Sequence, residues 1–321
     1  MEELDHDAIV RLLADPDPGT RQYALMQLEE VASEASVPPL VAALADDDAV
    51  VRRLAIGLLE EIGDARAVPE IIRCVLDEDD EVRDAAAASL RDFRGDEAAT
   101  AMLAAIDHPD AAVRRAVIVG LRELKDRRAV QPLIHALEDA SAEVRHEAVI
   151  TLAYLRLADS VEPLRRRIAD PDANVRRIAV GALAYFTGPA LLDDFVRALS
   201  DSDWRVRAEA AIVLGRTALS SAIPGLRAAL GDSFWQVQKE AIAALGRLAA
   251  SAAVPELIEF LKSEMSELRR AAAYALGDIR APAARTALRA LEADPDVEVR
   301  KAAARALEAI STAATQSGQK D

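Results

Sequence analysis

The chain has 321 residues, 39 of them basic and 55 acidic, for a formal net charge of -16; 51% of it is hydrophobic but only 3% aromatic, so its apolar mass is Ala, Leu, Val and Ile. That acidity argues against a general binder of nucleic acid or anionic membrane, and no stretch approaches the ~18 uninterrupted apolar residues of a membrane span. A single cysteine, Cys74, rules out an internal disulfide framework and fits a reducing cytoplasm, while the acidic start Met1-Glu2-Glu3-Leu4-Asp5 is unlike a secretory signal.

In chain order, one unit recurs. Arginine stands at Arg21, Arg52, Arg83, Arg114, Arg145, Arg176, Arg207, Arg269 and Arg300, always a multiple of 31 apart, with Gln238 in the remaining slot. Seven residues after each slot is a leucine, from Leu28 to Leu307; three after it is alanine, except for Val117. The preceding residue is valine, except for Thr20 and Leu268. Apolar positions at -1, +3, +7 and +10 share one face of a 3.6-residue spiral, which predicts a helix through every slot. A shorter helix precedes each, as over 68–76, with proline in its first turn at Pro38, Pro69, Pro132, Pro163, Pro224 and Pro255, where a missing N–H costs little. Between the helices run Asp15-Pro16-Asp17, Asp46-Asp47-Asp48, Asp170-Pro171-Asp172, Asp201-Ser202-Asp203 and Asp294-Pro295-Asp296. Their carboxylates suit the start of the second helix.

A helix pair this short cannot bury its own apolar stripe, but stacked on like neighbours it can. The expectation is an all-α solenoid, a right-handed α-α superhelix of about ten 31-residue helix pairs. With helix layers roughly 8–10 Å apart it would form a capped, monomeric curved rod on the order of 100 Å long. No internal domain boundary is expected over 1–311, and 312–321 loses the pattern and reads as a disordered tail.

The pattern Asp-x-x-x-x-Val-Arg-x-x-Ala-x-x-x-Leu is carried best by Asp79-Asp80-Glu81-Val82-Arg83-Asp84-Ala85-Ala86-Ala87, with the connection Ile62-Gly63-Asp64-Ala65-Arg66-Ala67-Val68-Pro69. It resembles the short HEAT-like repeats of the phycobilisome-lyase type over residues 4–311. The resemblance implies that the repeated Asp and Arg form a ladder between neighbouring turns and that the second helices line a concave side. Some members of that family attach or detach bilins or dismantle the antenna; nothing in this chain adds a motif for that activity. His146-Glu147 is similar to the His-Glu pairs of the HEAT-like deoxyhypusine hydroxylases, but one pair does not make a di-iron site. No cofactor, metal or catalytic residue is expected, and Cys74 reads as core.

What remains is the surface of the second helices. Position +1 reads Gln22, Arg53, Asp84, Arg115, His146, Arg177, Ala208, Lys239, Arg270 and Lys301. This mostly basic line either attracts an acidic partner or pairs with the Asp-rich turns beside it. The scarce aromatics share repeat positions: Trp204 and Trp235 at -3, Tyr154 and Tyr185 at +9, and Tyr274 at +5 alongside Val119, Ile150 and Ile212. The two tryptophans fit equally a partner site and lids over the turns. The combined stripe, with Arg115, Arg177, Lys239 and Arg270, is the expected binding surface for a protein or peptide.

Overall fold

The computed structural model describes residues 5–186 and 191–317, all helix and turn with no strand among them. Two compact units divide the chain, Met1–Pro163 and Leu164–Asp321. Five helix pairs build the first: α1 (His6–Leu12) with α2 (Pro18–Leu28), α3 (Val37–Ala43) with α4 (Ala49–Ile62), α5 (Val68–Cys74) with α6 (Asp80–Ser89), α7 (Gly95–Ala104) with α8 (Ala111–Leu124), and α9 (Val130–Ala136) with α10 (Ala142–Leu155). The division falls inside α11 (Val161–Arg166). The second unit continues with α12 (Ala173–Leu183), then α13 (Leu192–Ala198) with α14 (Trp204–Leu214), α15 (Ile223–Ala229) with α16 (Trp235–Arg247), α17 (Val254–Phe260) with α18 (Ser266–Asp278), and α19 (Arg285–Ala290) with α20 (Val297–Ser317).

Within each unit the second helices stack in succession, α2, α4, α6, α8 and α10 in one and α12 to α20 by even numbers in the other. The repeat supplies the reason. Every +3 residue from Ala24 to Ala303 is fully buried, and so are the +7 leucines from Leu28 to Leu276. A buried leucine contributes about 1.5–3 kcal/mol, which no isolated pair would gain. Close approach needs small residues at +8 in the second unit. A Cβ built on Gly215, Gly246 or Gly277 would lie 2.8, 2.8 and 2.9 Å from the Cα of Ala244, Ala275 and Ala306 respectively.

The turns hold the pairs in register. Asp17, Asp48, Asp79, Asp110, Ser141, Asp172 and Asp203 cap their second helices, each accepting a backbone N–H. Each slot side chain then reaches back six residues. Arg52 Nη1, for example, donates to the Asp46 carbonyl at 2.8 Å, and Gln238 Nε2 does the same to Asp232. Slot arginines also clamp the aspartate 25 residues ahead through both Nε and Nη2, as in Arg21–Asp46, Arg52–Asp77 and Arg114–Asp139 in the first unit and Arg176–Asp201, Arg207–Asp232 and Arg269–Asp294 in the second. Fork-to-fork pairing of this kind is directional and strong. Where Gln238 replaces arginine, the residue 25 ahead is Ser263, so donor and acceptor are lost together. Where His108 replaces the aspartate, Arg83 turns to Asp80 in its own helix.

The stretch expected to lose the pattern from residue 312 is helical as far as Ser317, because Thr312 to Ser317 contains no helix breaker before Gly318. Residues 318–321 lie outside the described residues.

Candidate partner-binding surface

On a second helix, positions -3, +1, +5 and +9 are four apart and form one ridge. In α16 the ridge begins at Trp235, whose ring lies 5.9 Å from Lys239 Nζ, and continues through Ala243 to Arg247. The next ridge, on α18, carries Arg270 and Tyr274. Between them is an open depression of about 380 Å³ lined by Lys239, Ala243, Arg247, Arg270, Tyr274 and, as its acidic side, Glu267, Asp278 and Glu298. Three of the expected binding residues, Lys239, Arg270 and Tyr274, thus meet in one place. Tyr274 is 39% exposed.

The other expected residues lie on the same ridges without forming one cavity. In the first unit Tyr154 is exposed, with Lys125 Nζ 5.3 Å from its ring; Ile150 is half-buried one turn before it, and Arg115 is exposed on α8. In the second, Tyr185 is exposed after α12, while Arg177 and Ile212 are half-buried. Trp204 is half-buried and stacked on Phe234, centroids 5.7 Å apart and planes at 12°, and Arg207 sits 5.6 Å above the same Phe234 ring. A lid over the turn is the geometry that Trp204 adopts.

Of the basic +1 line, Arg53 faces Glu81 at 3.4 Å, Arg270 faces Glu267 at 2.6 Å and Lys301 faces Glu298 at 2.8 Å. His146 and Glu147 do not open toward a metal. Glu147 accepts from Arg122 Nη2 at 2.5 Å, and the His146 ring and the Arg122 guanidinium hold its carboxyl down to about 2 against burial. Among the described residues no group of three or more His, Cys, Asp or Glu is placed to hold a metal ion. Nor is any described helix long and apolar enough to cross a membrane.

Two sets of residues escaped the sequence reading. Phe234 and Met265 occupy the capping slot where the eight other repeats carry Asp or Ser with a capping bond, Asp296 accepting from the Glu298 N–H in the last; both are exposed and neither caps. Tyr23 and Met26, on α2, are 58% and 59% exposed, the highest values of any large apolar side chain among the described residues. The signal is present in the sequence, since each of these residues is a departure from its repeat column.

Comparison with known proteins agrees with this geometry. The family of HEAT repeats matches residues 7–91, 37–122, 98–173, 161–234 and 223–308. No curated protein matches the sequence. An engineered protein of known crystal structure is 25% identical, covering 96% of this chain and 99% of its own, with a TM-score of 0.54. Kap95p, solved with RanGDP, is 14% identical with a TM-score of 0.68; the match covers 95% of this chain, which spans about half, 49%, of Kap95p. Kap121p bound to the extreme C-terminus of the protein phosphatase Cdc14p is 14% identical with a TM-score of 0.61, over 96% of this chain and 42% of its own. Repeated sequence, stacked helix pairs and family match converge, and the chain belongs to the HEAT repeat family.

Proposed function

We propose that this chain is a non-catalytic scaffold, an assembly or regulatory factor that holds a partner protein or peptide on the face of its second helices. The observation that carries the reading is the depression around Tyr274, where an exposed aromatic is ringed by cations and carboxylates on rigid helices. Kap95p, solved with RanGDP, and Kap121p, bound to the extreme C-terminus of Cdc14p, support the reading by analogy of fold. Lys239, Arg247 and Arg270 are balanced there by Glu267, Asp278 and Glu298, so the aromatic supplies the anchor and the charges set the register. Acidic partner segments would pair elsewhere on the +1 line, with Arg115 and Arg177. The short 31-residue period supports repeats of the phycobilisome-lyase type. The protein works as a cytoplasmic monomer, one continuous array over 1–311, its Cys74 thiol buried and pushed up to about 11, hence inert near neutral pH.

The test is capture from native lysate by wild type and by Tyr185→Ala/Tyr274→Ala. These tyrosines are half-exposed, so helicity should be retained while a specific partner is lost by about tenfold or more, the scale of one anchor residue. Undiminished capture by the folded variant would reduce the tyrosines to surface packing. The rival reading, a bilin-handling or metal-dependent enzyme, predicts colour or stoichiometric iron in the purified protein.

A further inference from the structure

A second surface lies in the first unit, and its chemistry differs. On α2, α4 and α6 the exposed ridges carry Tyr23 and Met26, then Leu54 and Gly57, then Ala85 and Ala88: an apolar floor on a face that elsewhere is charged. This floor opens as a depression of about 470 Å³, rimmed by Glu29, Glu60 and Glu61. Its one lining cation, Arg53, faces Glu81 at 3.4 Å and is already matched. Glu30 and Asp92 extend the acidic edge, and burial together with the neighbouring Asp92 pushes the Glu60 carboxyl above its ordinary value. Glu60 and Asp92 thus stand as carboxylate neighbours on this edge.

Gly57 is the more telling residue. It sits mid-helix in α4, its φ is not left-handed, and a Cβ built on it would meet nothing within 4 Å. Neither turn nor packing requires glycine at this position, and it costs the helix about 1 kcal/mol relative to alanine. What it does provide is a notch in the floor, between Met26 and Ala88.

We propose that this groove docks a basic amphipathic helix of a partner protein, apolar side chains on the Met26–Leu54–Gly57 floor and Lys or Arg against Glu29, Glu60 and Glu61. Three successive helices spaced about 10 Å apart present about 20 Å of floor, the length of roughly fourteen helical residues. A flexible methionine and an acidic rim suit helix-in-groove recognition, in which the ligand's i, i+3, i+4 and i+7 residues are the anchors. This site is separate from the Tyr274 depression, and either can fail alone.

The experiment uses the full chain and a fluorescein-labelled sixteen-residue Leu/Lys peptide patterned as an amphipathic helix, with its Leu/Glu counterpart as the opposite-charge probe. Binding of the Lys peptide alone is expected. Gly57→Leu fills the notch and strengthens the helix, so it should lower affinity about tenfold while the melting temperature holds or rises. Glu29→Lys/Glu60→Lys/Glu61→Lys should lower it by at least as much. The remote triple Glu264→Lys/Glu292→Lys/Glu308→Lys, with the same change in net charge on exposed sites, should stay within about threefold of wild type. Equal losses in both triples would mean attraction by overall charge and overturn the proposal. So would full binding by Gly57→Leu, or sedimentation showing that the groove variants dissociate a dimer, since the occupant would then be a second copy of this chain.

Discussion

An aspartate clamped by a guanidinium is the smallest unit of this fold that joins one repeat to the next. At Asp139, burial pushes the carboxyl up, but Arg114 and the Ser141 amide more than offset it, and the group titrates below its ordinary value. The same direction holds at Asp46, Asp77, Asp201, Asp232 and Asp294. Their stabilisation is complete above the unfolded carboxylate value of about 3.9 and is lost as pH falls through the depressed folded values. The urea midpoint should therefore be insensitive to these groups above about pH 5 and fall steeply below about pH 4. Replacing Arg114 and Asp139 together by Met and Leu should flatten that fall. The missing rung offers the converse test: Gln238→Arg with Ser263→Asp should be more stable than the sum of the single changes by about 0.5–1 kcal/mol in a double-mutant cycle. Backbone strain adds a third site. Position +11 is left-handed at Gly63 but also at Lys125, Arg156, Ala218, Ala249 and Arg280. Ala249→Gly should raise stability by ~0.5–1 kcal/mol, measured by chemical denaturation.

Second helices pack against each other at distances set by their smallest residues. Gly246→Val would drive a branched side chain into the Ala275 backbone, and should cost about 1–3 kcal/mol or more in denaturant unfolding. The period of 31, the buried +3 and +7 columns and the Asp-rich caps were all readable from sequence, because each recurs and recurrence averages out local noise. The left-handed +11 column was not. Its residues are Lys, Arg and Ala, and only Gly63 advertises the conformation. The candidate surface was legible in part for a related reason. A site is made of departures from the repeat, and a departure shows its chemistry but not its exposure: Trp204 and Tyr185 look alike in the alignment of repeats, yet one is stacked on Phe234 and the other faces solvent.

At the scale of the molecule, stability in a repeat array is a sum over neighbours, so its weak point lies where several neighbour terms are missing at once. Here that is the start of α16 and α18: the rung at Gln238 and Ser263 is absent, and Phe234 and Met265 leave two helix N-termini uncapped by side chains. Native-state hydrogen exchange should show amides in the first turns of α16 and α18 opening before those of α12 and α14, whose caps Asp172 and Asp203 are in place. Equal protection would mean that helix packing outweighs the ladder.

The 25-residue reach of each clamp within a 31-residue repeat also gives the chain a phase. Excising residues 84–114 would join Arg83 directly to Arg115, keep Val117 and Leu121 at +3 and +7, and bring Asp139 to the position 25 residues beyond Arg83. That arginine, which now turns to Asp80 because His108 stands where its acceptor would be, would acquire a true partner. A deletion of 30 or 32 residues would instead throw the junction out of register. The sequence is thus written in units that tolerate loss or gain of a whole word while punishing the loss of a letter, and a cooperative melt in the 31-residue deletion beside a broadened one in its neighbours is how that grammar would show itself.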